Sequence, residues 1–325
     1  MEGTAKQAED ALQAAQMYYY QNLPMKKIAA ELGVSPSTIS RLLSWARERG
    51  IVEIRINDLH GRANSLEELI KLRYQIRSVV VVPVPEVVGQ DAWQDRVARV
   101  AASYLNQVMK SNMVLGIAWG RVIHQVAAHL TPKLLVNAQI VQLNGGDALP
   151  NFGVSSAVEL ITRFANNYDG TPHLFHVPPY FDSAATKAAV WQERSVQRIL
   201  NWHERVDIAL YSIGSHEGEA KSDLYLGDYL LPDDYISMRE SGVVGDIANI
   251  MIRADGSFAD VPLNQRACGF DLELLHKVDR AICVVSGQNK LAKLQAALTG
   301  RYVTDLIVDE PTARRLSEAF SSDSV

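Results

Sequence analysis

From Ser78 onward, short apolar runs alternate with longer segments of helical period. The runs Ser78–Val84, Asn112–Ala118, Ile140–Leu143, Leu174–Val177, Asp207–Ile213, Ile247–Arg253, Ala281–Val285 and Asp305–Val308 predict strands. The segments Trp93–Lys110, Gly120–Leu130, Ser155–Asn166, Ala184–Asn201, Asp233–Ser241, Asn289–Leu298 and Pro311–Phe320 predict helices. Strands this apolar suit burial on both faces. Alternation of β with α then predicts an α/β fold with one open, mostly parallel, Rossmann-like sheet between helical layers. Ala254-Asp255-Gly256-Ser257 reads as a hairpin turn.

The first fifty residues read differently. Ala8, Leu12, Ala15 and Tyr19 mark a first helix that packs on its neighbours or on a partner subunit, with Tyr18 and Tyr20 at core or rim. Ile28, Ala29 and Leu32 share one face of a second helix, which Pro24 starts and Gly33 stops. Ser35 caps a third, with Pro36 as its first residue and Ile39, Leu42, Leu43 and Ala46 as its core face. The outer face carries Ser37, Thr38, Ser40, Arg41 and Ser44, with no acid before Glu48. This is a helix-turn-helix whose second helix suits a DNA groove: hydroxyls and a forked cation bond to phosphates and base edges. Ser35, Ser37, Thr38, Ser40 and Arg41 form the expected contact set, with Lys26, Lys27 and Arg47 on the phosphates. IVEIRI, after Gly50, reads as a strand, which would form part of a wing beside the third helix with Arg55 near a phosphate.

Polar Asn57–Ser65 is the expected linker, and Ser65 with Glu68 suggests a capped helix running to about Tyr74. We therefore expect a helix-turn-helix DNA-binding domain over 1–57. A second domain with another task would occupy 58–325.

Charge sharpens the division. The chain of 325 residues has net charge −5, yet residues 17–57 carry six Lys/Arg against three Glu, a balance of +3 that leaves −8 elsewhere. A basic head on an acidic body fits nucleic-acid binding by the head alone. No apolar run approaches the ~20 residues of a membrane span, and no signal-like start is present, so a cytoplasmic location is expected. Two cysteines and eight histidines lack metal-ligand spacing. No metal, no cofactor and no catalytic residue is expected: Walker, Rossmann and nucleophile-elbow patterns are all missing.

Ligands of open parallel sheets bind beyond the strands' carboxyl ends. There the sequence places Trp119-Gly120-Arg121, Asn144-Gly145-Gly146, Gly214-Ser215, Ser286-Gly287 with Lys290, and Asp309-Glu310, while Gly245-Asp246 lies just before the strand IANIMI. A single glycine at such a place is ordinary turn geometry. The set, with cations and carboxylates at one edge, suits a phosphorylated, hydroxyl-rich molecule. The helix start at Gly120-Arg121 would hold the anion.

In this order, KKIAAELGVSPSTISRLLSWARERGIVEIRI, LGIAWGR, VQLNGG, GVVGDIANIMIRADG and VVSGQNKLAKLQAALTGRYVTDLIVDEPTA resemble the SorC/DeoR-type sugar-responsive bacterial transcriptional regulators over nearly the whole chain. The resemblance implies a DNA-binding head and, over 58–325, an effector-binding and oligomerisation domain similar to sugar-phosphate isomerases and deaminases. It also implies a homotetramer on double-stranded operator DNA, answering to a sugar, polyol or phosphorylated sugar. Carried over, the effector phosphate lies near Trp119, Gly120 and Arg121, Asp246 bonds hydroxyls, and Lys290 meets phosphate or hydroxyl. Asn144, Gly145, Ser155 and Ser156 complete the implied effector set. Ala118 departs from the family, whose members often carry Ser or Thr there, and so removes a hydroxyl. Two other functions compete: a sugar-phosphate isomerase or deaminase with an attached DNA-binding head, and a head that binds protein rather than DNA.

Overall fold

The computed structural model of the chain describes residues 2–52, 62–85, 89–146, 156–214, 223–226 and 229–322. The chain divides into two compact units, Met1–Leu59 and His60–Val325.

In the first unit α1 (Glu2–Ala15) runs into a π-helical turn (Gln16–Tyr20), followed by α2 (Met25–Glu31) and α3 (Pro36–Glu48). Its core is Ala11, Ala14, Ala15, Met17, Ile28, Ala29, Ile39, Leu43 and Ala46. The buried face of α1 is therefore rotated from the expected Ala8–Leu12–Ala15–Tyr19 line. Leu12 is exposed, because small alanines let α1 lie close against α3. Gly33 has φ +66° and ends α2 in the left-handed region, where only glycine sits without strain. Ser35 caps α3, its Oγ accepting the Thr38 N–H at 3.1 Å. Pro24 is the extended residue that precedes α2 rather than its first helical one. Of IVEIRI, Ile51 and Val52 pack on this core; the rest of the expected strand, with Arg55, lies outside the described residues.

The second unit is built on ten described strands: β1 (Ser78–Val82), β2 (Val114–Ile117), β3 (Gln139–Gln142), β4 (Thr171–His173), β5 (Ile208–Tyr211), β6 (Ile213–Gly214), β7 (Val243–Ile247), β8 (Ile250–Arg253), β9 (Arg280–Val285) and β10 (Asp305–Asp309). Seven form one parallel sheet in the order β1-β10-β9-β5-β2-β3-β4; β6-β7-β8 form a small antiparallel one. The helices are α4 (Arg62–Tyr74), α5 (Gln90–Val108), α6 (Arg121–His129), α7 (Ala157–Tyr168), α8 (Ala184–Val190), α9 (Arg194–His203), α10 (Asp223–Leu226), α11 (Pro232–Glu240), α12 (Leu272–Leu275), α13 (Leu291–Thr299) and α14 (Glu310–Ser322). In β9, Ile282 and Val284 face one core with α5, α6 and α7. Ala281, Cys283 and Val285 face another with α4, α13 and α14. Both faces are covered, which is why the strands are apolar throughout. From β2 the chain winds outward through β3 and β4; from β5 it winds the other way through β9 and β10. The crevice between the β2 and β5 ends is thus the topological switch point, where such sheets bind ligands.

Several expected elements divide. Ile247–Arg253 is a hairpin rather than one strand. Ile247 pairs with Ile250 across Ala248 and Asn249, whose positive φ values (48° and 72°) fit a tight type I′ turn. The turn at Asp255-Gly256 joins no strand pair. Asp207–Ile213 splits at Ser212, where the chain leaves the main sheet for the small one. Leu174–Val177 is not a strand. Pairing with β3 ends at His173, and the Gln142 side chain then takes the Phe175 N–H at 3.0 Å. Ala184–Asn201 breaks where Trp191 packs on Phe175 and Phe181 and Glu193 turns extended. Asn289–Leu298 opens with a 3-10 turn (Gln288–Lys290) before α13. Arg62–Ser65 is helical, so Ser65 lies inside α4 rather than capping it. Among the described residues no helix is long and apolar enough to cross a membrane.

Ser35→Ala tests the cap. Loss of one N-cap hydroxyl should cost about 1 kcal/mol in chemical unfolding of the head. An unchanged midpoint would show that the hydroxyl does not hold α3.

Candidate functional site

The carboxyl edge of the main sheet opens into a cleft of about 880 Å3, its mouth included. Eight of the residues that the sequence placed at the ligand edge line it: Trp119, Gly120, Arg121, Asn144, Gly214, Asp246, Ser286 and Lys290. Gln90, Asp91 and Gln94 from the start of α5, Ser212, Leu224, Asn249 and Asn289 also line it. Of these, the α5 residues and Leu224 were marked by no motif in the sequence, and Asn249 sat inside a recognised one.

One wall is an anion cradle. β2 ends at Ile117 and α6 begins at Arg121, so the first N–H groups of α6 lack intrahelical partners and the helix dipole adds positive potential. The Trp119 N–H donates to Asn144 Oδ1 at 3.0 Å and its indole Nε1–H to the Gly145 carbonyl at 2.8 Å. A Cβ at Gly146 would overlap that indole. Asn144 Nδ2 donates to Asn249 Oδ1 at 2.8 Å, and Asn249 Nδ2 donates to the Gly145 carbonyl at 2.9 Å. Gly145 therefore seats Trp119 without lining the cleft. Ser156 caps α7, accepting the Glu159 N–H at 3.1 Å, and does not line the cleft; Ser155 lies outside the described residues.

The other wall holds opposed charges. Asp246 is buried and accepts from the Tyr225 hydroxyl at 2.8 Å. Burial raises its pKa to about 6, against the lowering pull of Tyr225, the Asn249 N–H and Lys290. Tyr225, pushed well above its usual range by burial, stays protonated and donates. A Cβ at Gly214 would overlap the Asp246 carboxylate, so only glycine leaves room for it. Lys290 reaches in from the turn after β9, its ammonium 3.4 Å from Ser212 Oγ. Burial lowers its pKa to about 8, opposed by Cys283 and Asp246. Both ionised forms cost folding stability near neutral pH. Asp246 stabilises below its ordinary pKa and loses that contribution as pH rises through about 6; Lys290 regains stability only above about 8. Opposed charges held in a cleft at such cost are a common feature of functional sites, although structural ion-pair networks share it. Asp309 anchors the turn that carries Lys290: its carboxylate accepts the Gly287 N–H at 2.8 Å and the Thr312 hydroxyl at 2.9 Å.

In the first unit Ser37, Ser40, Arg41, Arg47, Lys26 and Lys27 are exposed. Thr38 is half-buried, its hydroxyl 2.9 Å from Ser35 Oγ and 3.4 Å from Arg41 Nη2. Ser35 is occupied by the cap. Arg47 donates to Ser44 Oγ at 3.1 Å and to the Tyr19 hydroxyl at 3.4 Å. Among the described residues no group of three or more His, Cys, Asp or Glu is placed to hold a metal.

Residues 60–317 match the family described as "Putative sugar-binding domain". The deoxyribonucleoside regulator of Bacillus subtilis (strain 168) is 31% identical over 308 residues, covering 94% of this chain and 96% of its own. The sorbitol operon regulator of Klebsiella pneumoniae is 26% identical over 310 residues, covering 93% and 95%. Among solved structures, a domain of a possible sugar-binding transcriptional regulator from Arthrobacter aurescens TC1 has TM-score 0.73 at 40% identity, covering 78% of this chain and 97% of that one. The full-length Klebsiella regulator has TM-score 0.75 at 24% identity, covering 94% and 97%, and shares the fold. The chain belongs to the SorC/DeoR-type family of sugar-binding transcriptional regulators.

Proposed function

We propose that the protein acts in the cytoplasm as a DNA-binding regulator of carbohydrate or polyol catabolism, controlled by a sugar, polyol or phosphorylated sugar in the cleft. The observation that carries this is the cleft itself: an anion cradle on α6 faces Asp246 and Lys290, which suit hydroxyls and a second polar end. Residues 1–57 form the head and 58–325 the effector and oligomerisation part. Ser37, Ser40 and Arg41 enter the major groove, Thr38 and Ser35 support the helix start there, and Lys26, Lys27 and Arg47 hold phosphates. The protein works as a homo-oligomer, a dimer of dimers, on a roughly palindromic operator. The effector changes DNA affinity only by binding two subunit arrangements unequally.

The effector is bound and released without chemistry. An isomerase-type reading draws on one observation: Asp246 at about 6 and Lys290 at about 8 share the cleft and are able to exchange protons with a sugar. Turnover of pentose or hexose phosphates by the purified protein would establish that reading instead.

Three outcomes are expected. Arg41→Ala should weaken binding to an operator selected from random-sequence DNA by about tenfold, roughly the value of one base or phosphate contact, while thermal shift by the effector stays intact. Equal loss of both would mean misfolding. Lys290→Ala should abolish the effector's influence on DNA binding with DNA binding itself preserved; a normal response would remove Lys290 from the site. Effector affinity, measured by titration calorimetry, should peak between about pH 6 and pH 8. Below that window Asp246 takes a proton and stops accepting; above it Lys290 loses its charge. A flat profile from pH 5 to 9 would contradict the assignment of both groups.

A further inference from the structure

Ser286 is the residue of the cleft floor that the fold leaves incomplete. It follows β9 directly, is 7% exposed, and lines the cleft. Among the described cleft-lining residues it is the one whose side-chain oxygen is buried with no hydrogen-bond partner. Its neighbours are engaged: Gly287 N–H with Asp309, Lys290 with Ser212, Asp246 with Tyr225. A hydroxyl withdrawn from water with nothing to bond is destabilising, and alanine would fill nearly the same space without that cost. A buried orphan of this kind calls for a partner from outside the fold.

We propose that Ser286 is a specificity contact: its hydroxyl, turned about its single χ1 into the cleft, exchanges a hydrogen bond with a hydroxyl of the effector. This rests on the reading of the cleft as the effector site. Position narrows the ligand class. The anion cradle stands at the end of β2 and Ser286 at the end of β9, with β5 between them. Two inter-strand steps separate them by about 10 Å. The hydroxyl that Ser286 reads therefore lies at the end of the ligand remote from its phosphate. That suits an extended five- or six-carbon sugar or polyol phosphate, and a three-carbon phosphate falls short. Serine is suited to the task because its hydroxyl both donates and accepts. A ligand with hydroxyls but no fixed anomeric geometry is accommodated by the one rotatable bond.

The test compares wild type with Ser286→Ala, using sorbitol 6-phosphate, ribitol 5-phosphate, ribose 5-phosphate and glycerol 3-phosphate as probes. Affinity of the tightest five- or six-carbon probe should fall about tenfold, the value of one net hydrogen bond, while glycerol 3-phosphate is unaffected. Equal affinity of both proteins for the long probes, or an equal loss for glycerol 3-phosphate, overturns the proposal. A second measurement needs no ligand: ligand-free Ser286→Ala should melt no lower than wild type, and about 2 °C higher if the orphan cost is fully relieved. A fall of several degrees would mean that the hydroxyl has a protein partner, and overturns it as well. If no probe raises the wild-type melting temperature, the sugar-phosphate reading of the cleft fails, and the melting comparison still decides whether Ser286 is an orphan.

Discussion

Two buried carboxamides, Asn144 and Asn249, meet through a 2.8 Å hydrogen bond that joins the end of β3 to the β7–β8 turn. From this pair the cleft is assembled. Asn144 takes the Trp119 N–H with its own oxygen, and Asn249 shares the Gly145 carbonyl with the Trp119 indole. The same turn sets Asp246, one residue before Ile247, against Gly214 and Tyr225. Removing either carboxamide would leave the facing atom of its partner buried and unpaired, a loss of about 1–3 kcal/mol. Loss of Asn144 would also take the acceptor from the Trp119 N–H. Asn249 must hold positive φ to do this, a conformation asparagine tolerates better than most residues. Ala248 holds it too, at a cost on the order of 1 kcal/mol. That strain is sustained by the small antiparallel sheet that the hairpin builds.

The parallel sheet and the head were legible because each is a repeated pattern. Strands covered on both faces must be apolar throughout, and a capped helix after a glycine turn has few other readings. The expected strand-end residues converged because topology brings strand ends together, whatever lies between them in sequence. What escaped the pattern depends on contacts distant in the chain. Nothing local marks Ala248-Asn249 as a hairpin turn: the customary glycine is missing, and IANIMI reads as one apolar strand. Leu224 and Gln94 reach the cleft from α10 and α5, segments in which the sequence marked no ligand residue. Gly145 and Asp309 looked like ligand contacts and instead anchor others, a distinction set by where their bonds run rather than by residue type. The face of α1 was misjudged for a related reason: a helix rich in alanine carries too little hydrophobic contrast to fix its rotation.

The two units meet opposite demands. The head keeps cations and hydroxyls outward on a small, well-capped core, whose residues are spent on stability. The cleft instead holds an ionised Asp246 and a half-buried Lys290 that both oppose folding near neutral pH. On the proposed reading, a ligand that pairs with them while filling the cradle on α6 gains binding energy there. In a regulator only the part of that energy that differs between two states is signal, since a ligand shifts an equilibrium only by its unequal affinity for them.

Reciprocity tests this account most directly. The effector's dissociation constant should be measured by calorimetry on the free protein and on the protein saturated with operator DNA. DNA affinity should be measured with and without effector under the same salt and pH. The account predicts that the effector changes DNA affinity by a factor in the range of about 5 to 150, and that DNA changes effector affinity by the same factor. An effector that binds the cleft equally well with and without DNA would contradict it.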